Sequence, residues 1–128
     1  MKNIFILLFC VSAIQCSLYA QDKECLDQIR TGTFTYTVEN YTVVTIERTE
    51  TKQIESYNNG RSKIFTKIKW ISRNEYMVTF LRQKNARGCL KRGDVMKVTI
   101  IECDGWNYTA HITSELCGNS DITIKRIK

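Results

Sequence analysis

The chain has 128 residues, with 19 Lys and Arg against 13 Asp and Glu, a formal net charge of +6, six Cys and no Pro. A chain of this length holds one domain with its own core and leaves no room for a second catalytic module. Val, Ile, Thr and the aromatic residues are abundant, and no long stretch sustains a 3.6-residue apolar period, so the composition points to an all-β fold whose turns rest on Gly, Asn, Asp and Ser.

Residues 1–20 stand apart from the rest of the chain. Lys2 gives a positive start, Ile4 to Ile14 is an apolar run, and Leu18-Tyr19-Ala20 ends on a small residue before a polar stretch. This is the pattern of a signal peptide cleaved near Ala20, and the apolar run is shorter than the ~20 residues that span a bilayer. The folded domain is therefore expected to be 21–128, exported to the periplasm or secreted, with no transmembrane segment. Cleavage removes Cys10, Cys16 and one charge, Lys2, leaving 18 basic and 13 acidic residues and the cysteines Cys25, Cys89, Cys103 and Cys117. An even count in an exported domain implies two disulfides, with three possible connectivities.

Residues 21–30 are polar with Cys25, Leu26 and Ile29 as anchors, as in a helical turn laid across one end of a sheet, and Gly32 stops it. From Thr33 the alternation puts Phe34, Tyr36 and Val38 on one face and Thr33, Thr35 and Thr37 on the other. Strands are predicted over Tyr41 to Arg48 and Lys52 to Tyr57, with the Asn58-Asn59-Gly60 turn after them. Ile64 to Leu81 reads as a hairpin: Ile64, Thr66, Ile68 and Trp70 share a face, as do Tyr76, Val78 and Phe80, with Ser72-Arg73-Asn74 turning between them.

A charged loop runs from Arg82 to Gly93. Val95 to Cys103 is apolar on both faces near Val98 to Ile101, which places it where the sheet is covered most. Asp104-Gly105 is a hairpin turn. Trp106, Tyr108, Ala110 and Ile112 form the inward face of the next strand, and Ile122 to Ile127 forms the last. Eight strands joined by short turns suggest an antiparallel meander, closed into a small lipocalin-like barrel that hides its edges, with a β-sandwich as the alternative. In a meander Cys25 and Cys103 share one end and Cys89 and Cys117 the other, which favours Cys25–Cys103 and Cys89–Cys117 pairing.

Two stretches, Cys25 with Arg30-Thr31-Gly32-Thr33-Phe34-Thr35-Tyr36 and Ile68-Lys69-Trp70-Ile71-Ser72-Arg73-Asn74-Glu75-Tyr76, together with Thr45-Ile46-Glu47-Arg48-Thr49 and Lys52-Gln53-Ile54-Glu55, resemble a family of small exported bacterial proteins of unknown function. Some members carry the label DNA topoisomerase IV. Strand passage, however, needs a DNA-binding tyrosine nucleophile, an acidic Mg²⁺ cluster and an ATPase unit, and 128 residues cannot house them. In that family a Cys follows Ser-Asp after the Trp; here Arg73-Asn74-Glu75 stands there, which leaves Cys25 without the partner the resemblance implies. Gly32-Thr33-Phe34 is also similar to the G-x-[FWY] opening of lipocalin-like barrels.

Candidate chemistry is sparse. His111 is alone on an outward face, without a nucleophile in register, and the paired cysteines offer no thiol. Glu47, Glu50, Glu55 and Glu75 are the acids that could converge at one end. No close-spaced C-x-x-C set for a metal and no glycine-rich phosphate loop exists, so no metal or other cofactor is expected. Arg82, Lys84, Arg87, Lys91 and Arg92 form a basic run without an acid, suited to an anionic polysaccharide or lipid head groups; lacking interleaved aromatics, it does not point to nucleic acid. Lys63, Lys67 and Lys69 line a solvent face. Inside a barrel, Trp70, Tyr76, Phe80, Trp106 and Tyr108 are the candidate contacts for a small hydrophobic ligand at one mouth. The expectation is a monomeric, non-enzymatic binding protein, or else an interaction module using the 82–93 loop.

Overall fold

The computed structural model describes residues 23–105 and 107–128. The predicted signal peptide, with Cys10 and Cys16, and Trp106 lie outside the described residues.

A short helix over residues 23–28 leads into eight antiparallel strands. These are β1 (Gly32–Val38), β2 (Thr42–Arg48), β3 (Lys52–Tyr57), β4 (Ser62–Trp70), β5 (Glu75–Lys84), β6 (Val95–Asp104), β7 (Asn107–Ser114) and β8 (Gly118–Arg126), with a 3-10 turn at Glu39–Tyr41. Each strand pairs with its sequence neighbour, and β8 returns to β1 through Phe34 opposite Arg126 and Thr35 opposite Lys125. The result is a closed barrel, the solution in which no strand keeps an unpaired edge.

Alternation along each strand decides what fills it. Phe34, Ile46, Ile68, Tyr76, Val78, Val98, Ile100, Tyr108, Ala110 and Ile124 point inward as one buried cluster. Cys25 and Ile29, from the helix and the turn after it, belong to the same cluster. The helix therefore stops the barrel at the end that holds the 49–51, 71–74 and 104–105 turns. The other end is ringed by the 39–41, 58–61, 85–94 and 115–117 connections. Gly32 is needed at the stoppered end: its φ is +132°, and a Cβ there would stand 2.8 Å from the Lys128 carbonyl oxygen. That close approach lets Thr33 N–H donate to Lys128 O at 2.6 Å, tying the chain's last residue to β1.

Two β-bulges depart from simple alternation. In β5, Thr66 faces Phe80 while Phe65 faces Arg82, so Leu81 is the extra residue. In β6, Ile100 faces Ala110 while Glu102 faces Thr109, so Ile101 is extra. Each bulge reverses the faces of the residues beyond it. Without them, Arg82 and Glu102 would enter the barrel. With them, Gln83 and Cys103 turn inward, and Arg82 lies outside over the Phe65 ring at 3.9 Å. The bulge also corrects the expectation that β6 is covered on both faces: Val98 and Ile100 are buried, but Ile101 is 54% exposed.

Both bridges join the ends expected of a meander. Cys25–Cys103 has its Cα atoms 5.8 Å apart at the stoppered end, and Cys89–Cys117 5.5 Å apart at the open end. No helix among the described residues is long and apolar enough to cross a membrane.

Candidate binding cavity

The interior has two storeys, and Arg48 separates them. Val44, Ile46 and Arg48 alternate onto the inward face of β2, so the sheet's pleat carries the guanidinium into the core, where the residue is 4% exposed. Its Nε donates to Gln53 Oε1 at 2.8 Å, and Nη1 donates to the Ile29 carbonyl at 2.9 Å. Nη2 donates to the hydroxyls of Tyr108 at 2.8 Å and Tyr76 at 3.2 Å. The plane lies 4.7 Å from the Phe34 ring centroid and 5.0 Å from that of Tyr76. Burial works to lower the Arg48 pKa, but the Tyr76 and Tyr108 hydroxyls and the more distant Glu55 outweigh it, so the direction is upward and the group stays a cation. Burial, with the nearby Tyr108 hydroxyl, likewise pushes Tyr76 well above its ordinary value, against the pull of Arg48.

Above this plug, toward the open end, is a cavity of about 310 Å³. Its walls are mainly apolar: Ile64, Phe80, Leu90, Met96, Ile112 and Ile122 all contribute. Gly88, Cys89 and Cys117 also line it, so the second disulfide pins the 85–94 loop over the mouth.

Among the described residues, one hydrogen-bonded pair of ionisable side chains reaches this space. Tyr36 from β1 and Glu55 from β3 both line the cavity, and the Tyr36 hydroxyl donates to Glu55 Oε1 at 2.7 Å. Glu55 sits two residues beyond Gln53, on the same inward face and one step above the Arg48 plug. Burial raises the Glu55 pKa, while the Tyr36 hydrogen bond and the charge of Arg48 pull it back in part. The Tyr36 hydroxyl is also raised, by burial first and by the Glu55 charge second.

The predicted ligand-contact aromatics are divided between the storeys. Phe80 lines the cavity. Tyr76 and Tyr108 belong to the plug below it. Trp70 packs on Tyr76 with ring centroids 4.7 Å apart and lies under the Arg30 guanidinium at 4.6 Å. The acids do not converge: Glu50 faces Arg30, Glu75 faces Lys97, Glu47 is exposed on the outer face, and Glu55 alone is inside. His111 lies on the outer face beside Asp121 of β8. Among the described residues no cluster of His, Cys, Asp and Glu could hold a metal ion.

The basic run lies at the open end but outside the cavity. Lys84 ends β5 opposite Lys63, and Arg87, Lys91 and Arg92 lie on the loop; none of the five basic side chains lines the cavity. Lys67 and Lys69 are exposed on the outer face of β4. Beside the mouth, Tyr41 is 93% and Leu116 61% exposed. A more polar groove of about 430 Å³, lined by Lys23, Leu26, Arg73, Asn74 and Glu102 among others, runs along the stoppered end as the seam between the helix and the barrel.

Arg48 escaped sequence reasoning, and Glu55 was singled out only as one of four acids at one end rather than as an interior residue, yet the signal was present. Continuing the alternation of Val44 and Ile46 by one step puts Arg48 inside, and pairing β2 with β3 puts Glu55 opposite Ile46. No protein-family model matches the chain, and no curated protein matches it in sequence.

Proposed function

We propose that the protein is an exported, non-catalytic carrier that holds one small, mainly apolar molecule in the upper storey of its barrel. The observation that carries this reading is the roughly 310 Å³ cavity with apolar walls, a size and lining typical of small-molecule sites. The Arg48 plug supports it by closing the interior on the stoppered side, and the Cys89–Cys117 bridge by bracing the mouth. Two disulfides and the signal-peptide pattern of residues 1–20 support export to the periplasm or beyond.

Titration with N-phenyl-1-naphthylamine, a neutral apolar fluorophore, tests the reading. The dye is expected to brighten and shift to the blue with one saturable site. Ile112→Trp, which projects an indole into the cavity, should weaken binding by roughly tenfold at an unchanged circular dichroism spectrum. Equal binding by both proteins would place the dye elsewhere and remove the support for an internal site.

A second reading is supported by the rim itself. Lys84, Arg87, Lys91 and Arg92 stand around the same mouth as exposed Tyr41 and Leu116, and basic side chains mixed with apolar ones suit an anionic lipid surface. Co-flotation with vesicles containing phosphatidylglycerol should be strong at low salt. It should be largely lost on changing Arg87, Lys91 and Arg92 to Ala, each cation near such a surface being worth about 1 kcal/mol. Retention by the triple variant would count against this second reading.

A further inference from the structure

We infer that the molecule held in the cavity is a small hydrophobic amine, whose ammonium group pairs with Glu55 on the cavity wall; this rests on the carrier reading above. The chain as a whole is basic, yet among the described residues the only formally charged side chain lining the cavity is an acid. The β5 bulge at Leu81 contributes to that outcome, because it turns Arg82 out and Gln83 in.

Glu55 has no ion-pair partner among the described residues. Arg48, the nearest cation in the interior, makes four hydrogen bonds to Gln53, Ile29, Tyr76 and Tyr108, and none to Glu55. Tyr36 satisfies one carboxylate oxygen, Oε1. Oε2 has no donor among the described residues, and it is not sealed away as a buried unpaired atom. A carboxylate in an apolar cavity, hydrogen-bonded on one oxygen and open on the other, is complementary to a group that brings both a positive charge and N–H donors. A carboxylate ligand would instead meet like charge at the wall and would have to leave its head among the rim cations. The rim does not bar an amine: its side chains are exposed, and at physiological salt their field decays over ~8 Å.

The ionisable groups facing Glu55 are Tyr36 from β1, Arg48 from β2 and, further off, Tyr76 from β5. The inward residues of β4 nearest to it, Ile64 and Thr66, do not titrate. The phenols remain neutral and Arg48 remains charged over the working range, so Glu55 is the group that switches. Burial raises its pKa in the free protein. An ammonium ligand needs the ionised form, so amine affinity rises as pH climbs through that raised value. It then holds until the amine itself deprotonates, near pH ~10 for an alkylammonium.

Octylamine, octanol and octanoate share one chain and differ only in the head group, so calorimetric titration with all three decides the matter. For the wild-type protein octylamine should bind at least roughly tenfold more tightly than either of the others, with affinity increasing from pH 5 to pH 8. Glu55→Gln should lower octylamine affinity by a similar factor and affect octanol far less, so that the preference for the amine collapses. If Glu55→Gln is poorly folded, the wild-type ranking and its pH trend still decide. Octanoate binding more tightly than octylamine, or octylamine affinity falling as pH rises, would overturn the amine assignment while leaving the carrier reading intact. Failure of all three to bind would overturn the carrier reading itself.

Discussion

Replacing Arg48 by Met is expected to destabilise the protein by about 3–5 kcal/mol, the usual cost of removing one partner from a buried charged network. Methionine fills much of the same volume, so little of this comes from a cavity. The cost arises because the variant abandons the acceptors that the guanidinium satisfies: Gln53 Oε1, the Ile29 carbonyl and the Tyr76 and Tyr108 hydroxyls. Each polar group left buried without a partner costs roughly 1–3 kcal/mol. For a domain of this size that is a fall in melting temperature of roughly 15 °C or more. Arg48→Lys keeps the charge but loses the planar fork that reaches three directions at once, and should fall between wild type and Met.

A triple variant separates this account from a simple loss of packing. Changing Tyr76 and Tyr108 to Phe alongside Arg48→Met removes the stranded hydroxyls as well as their donor, and should recover part of the lost stability. If thermal denaturation instead shows Arg48→Met melting within a few degrees of wild type, the plug is dispensable and the two-storey interior loses its structural reason.

Most of the fold was legible because each turn has its own local cause. Asn58-Asn59-Gly60 and Asp104-Gly105 supply positive φ angles where hairpins need them, and Asn58, Asn59, Gly60 and Gly105 all adopt them. Strand count and the ends at which the cysteines meet then follow from antiparallel order, whereas closure, against the β-sandwich alternative, rests on the pairing of β8 with β1. What alternation could not reveal was where it breaks. Nothing local to Leu81 or Ile101 marks either as the extra residue of a bulge; both are apolar residues in apolar strands. Their positions are set by the register of the neighbouring strands, which is a property of the closed barrel. Those bulges decide that Arg82 leaves the interior and that Cys103 enters it.

The site was harder to read than the fold for a related reason. Sequence patterning treats inward aromatics as one class, yet height along the barrel axis separates Phe80 in the cavity from Tyr76 and Tyr108 in the plug. Height depends on the stagger between strands, which no single strand encodes. Arg48 and Glu55 were legible in principle, being the charged residues on the inward faces of β2 and β3. Charged residues at strand ends are ordinarily solvated, and only the helix laid across the stoppered end makes Arg48 a core residue.

The two disulfides should differ in what they protect. Chain entropy alone assigns the Cys25–Cys103 bridge, with a sequence separation of 78, about 4.5 kcal/mol. The Cys89–Cys117 bridge, with a separation of 28, is assigned about 3.5 kcal/mol. The structure widens that gap. Cys25 fastens the helix that stoppers the barrel, and the turn after it supplies both buried Ile29 and the carbonyl that accepts from Arg48. Changing Cys25 and Cys103 to Ala should therefore loosen the stopper and weaken the Arg48 network together, so its cost and that of Arg48→Met should be markedly non-additive. Changing Cys89 and Cys117 to Ala releases the 85–94 loop from the mouth, where most of its residues are exposed, and should cost less stability while weakening retention of the fluorescent probe. Urea unfolding of the two double variants measures the first difference and probe titration the second. A greater loss of stability from the Cys89–Cys117 pair would show that the open end, not the stoppered one, holds the barrel closed.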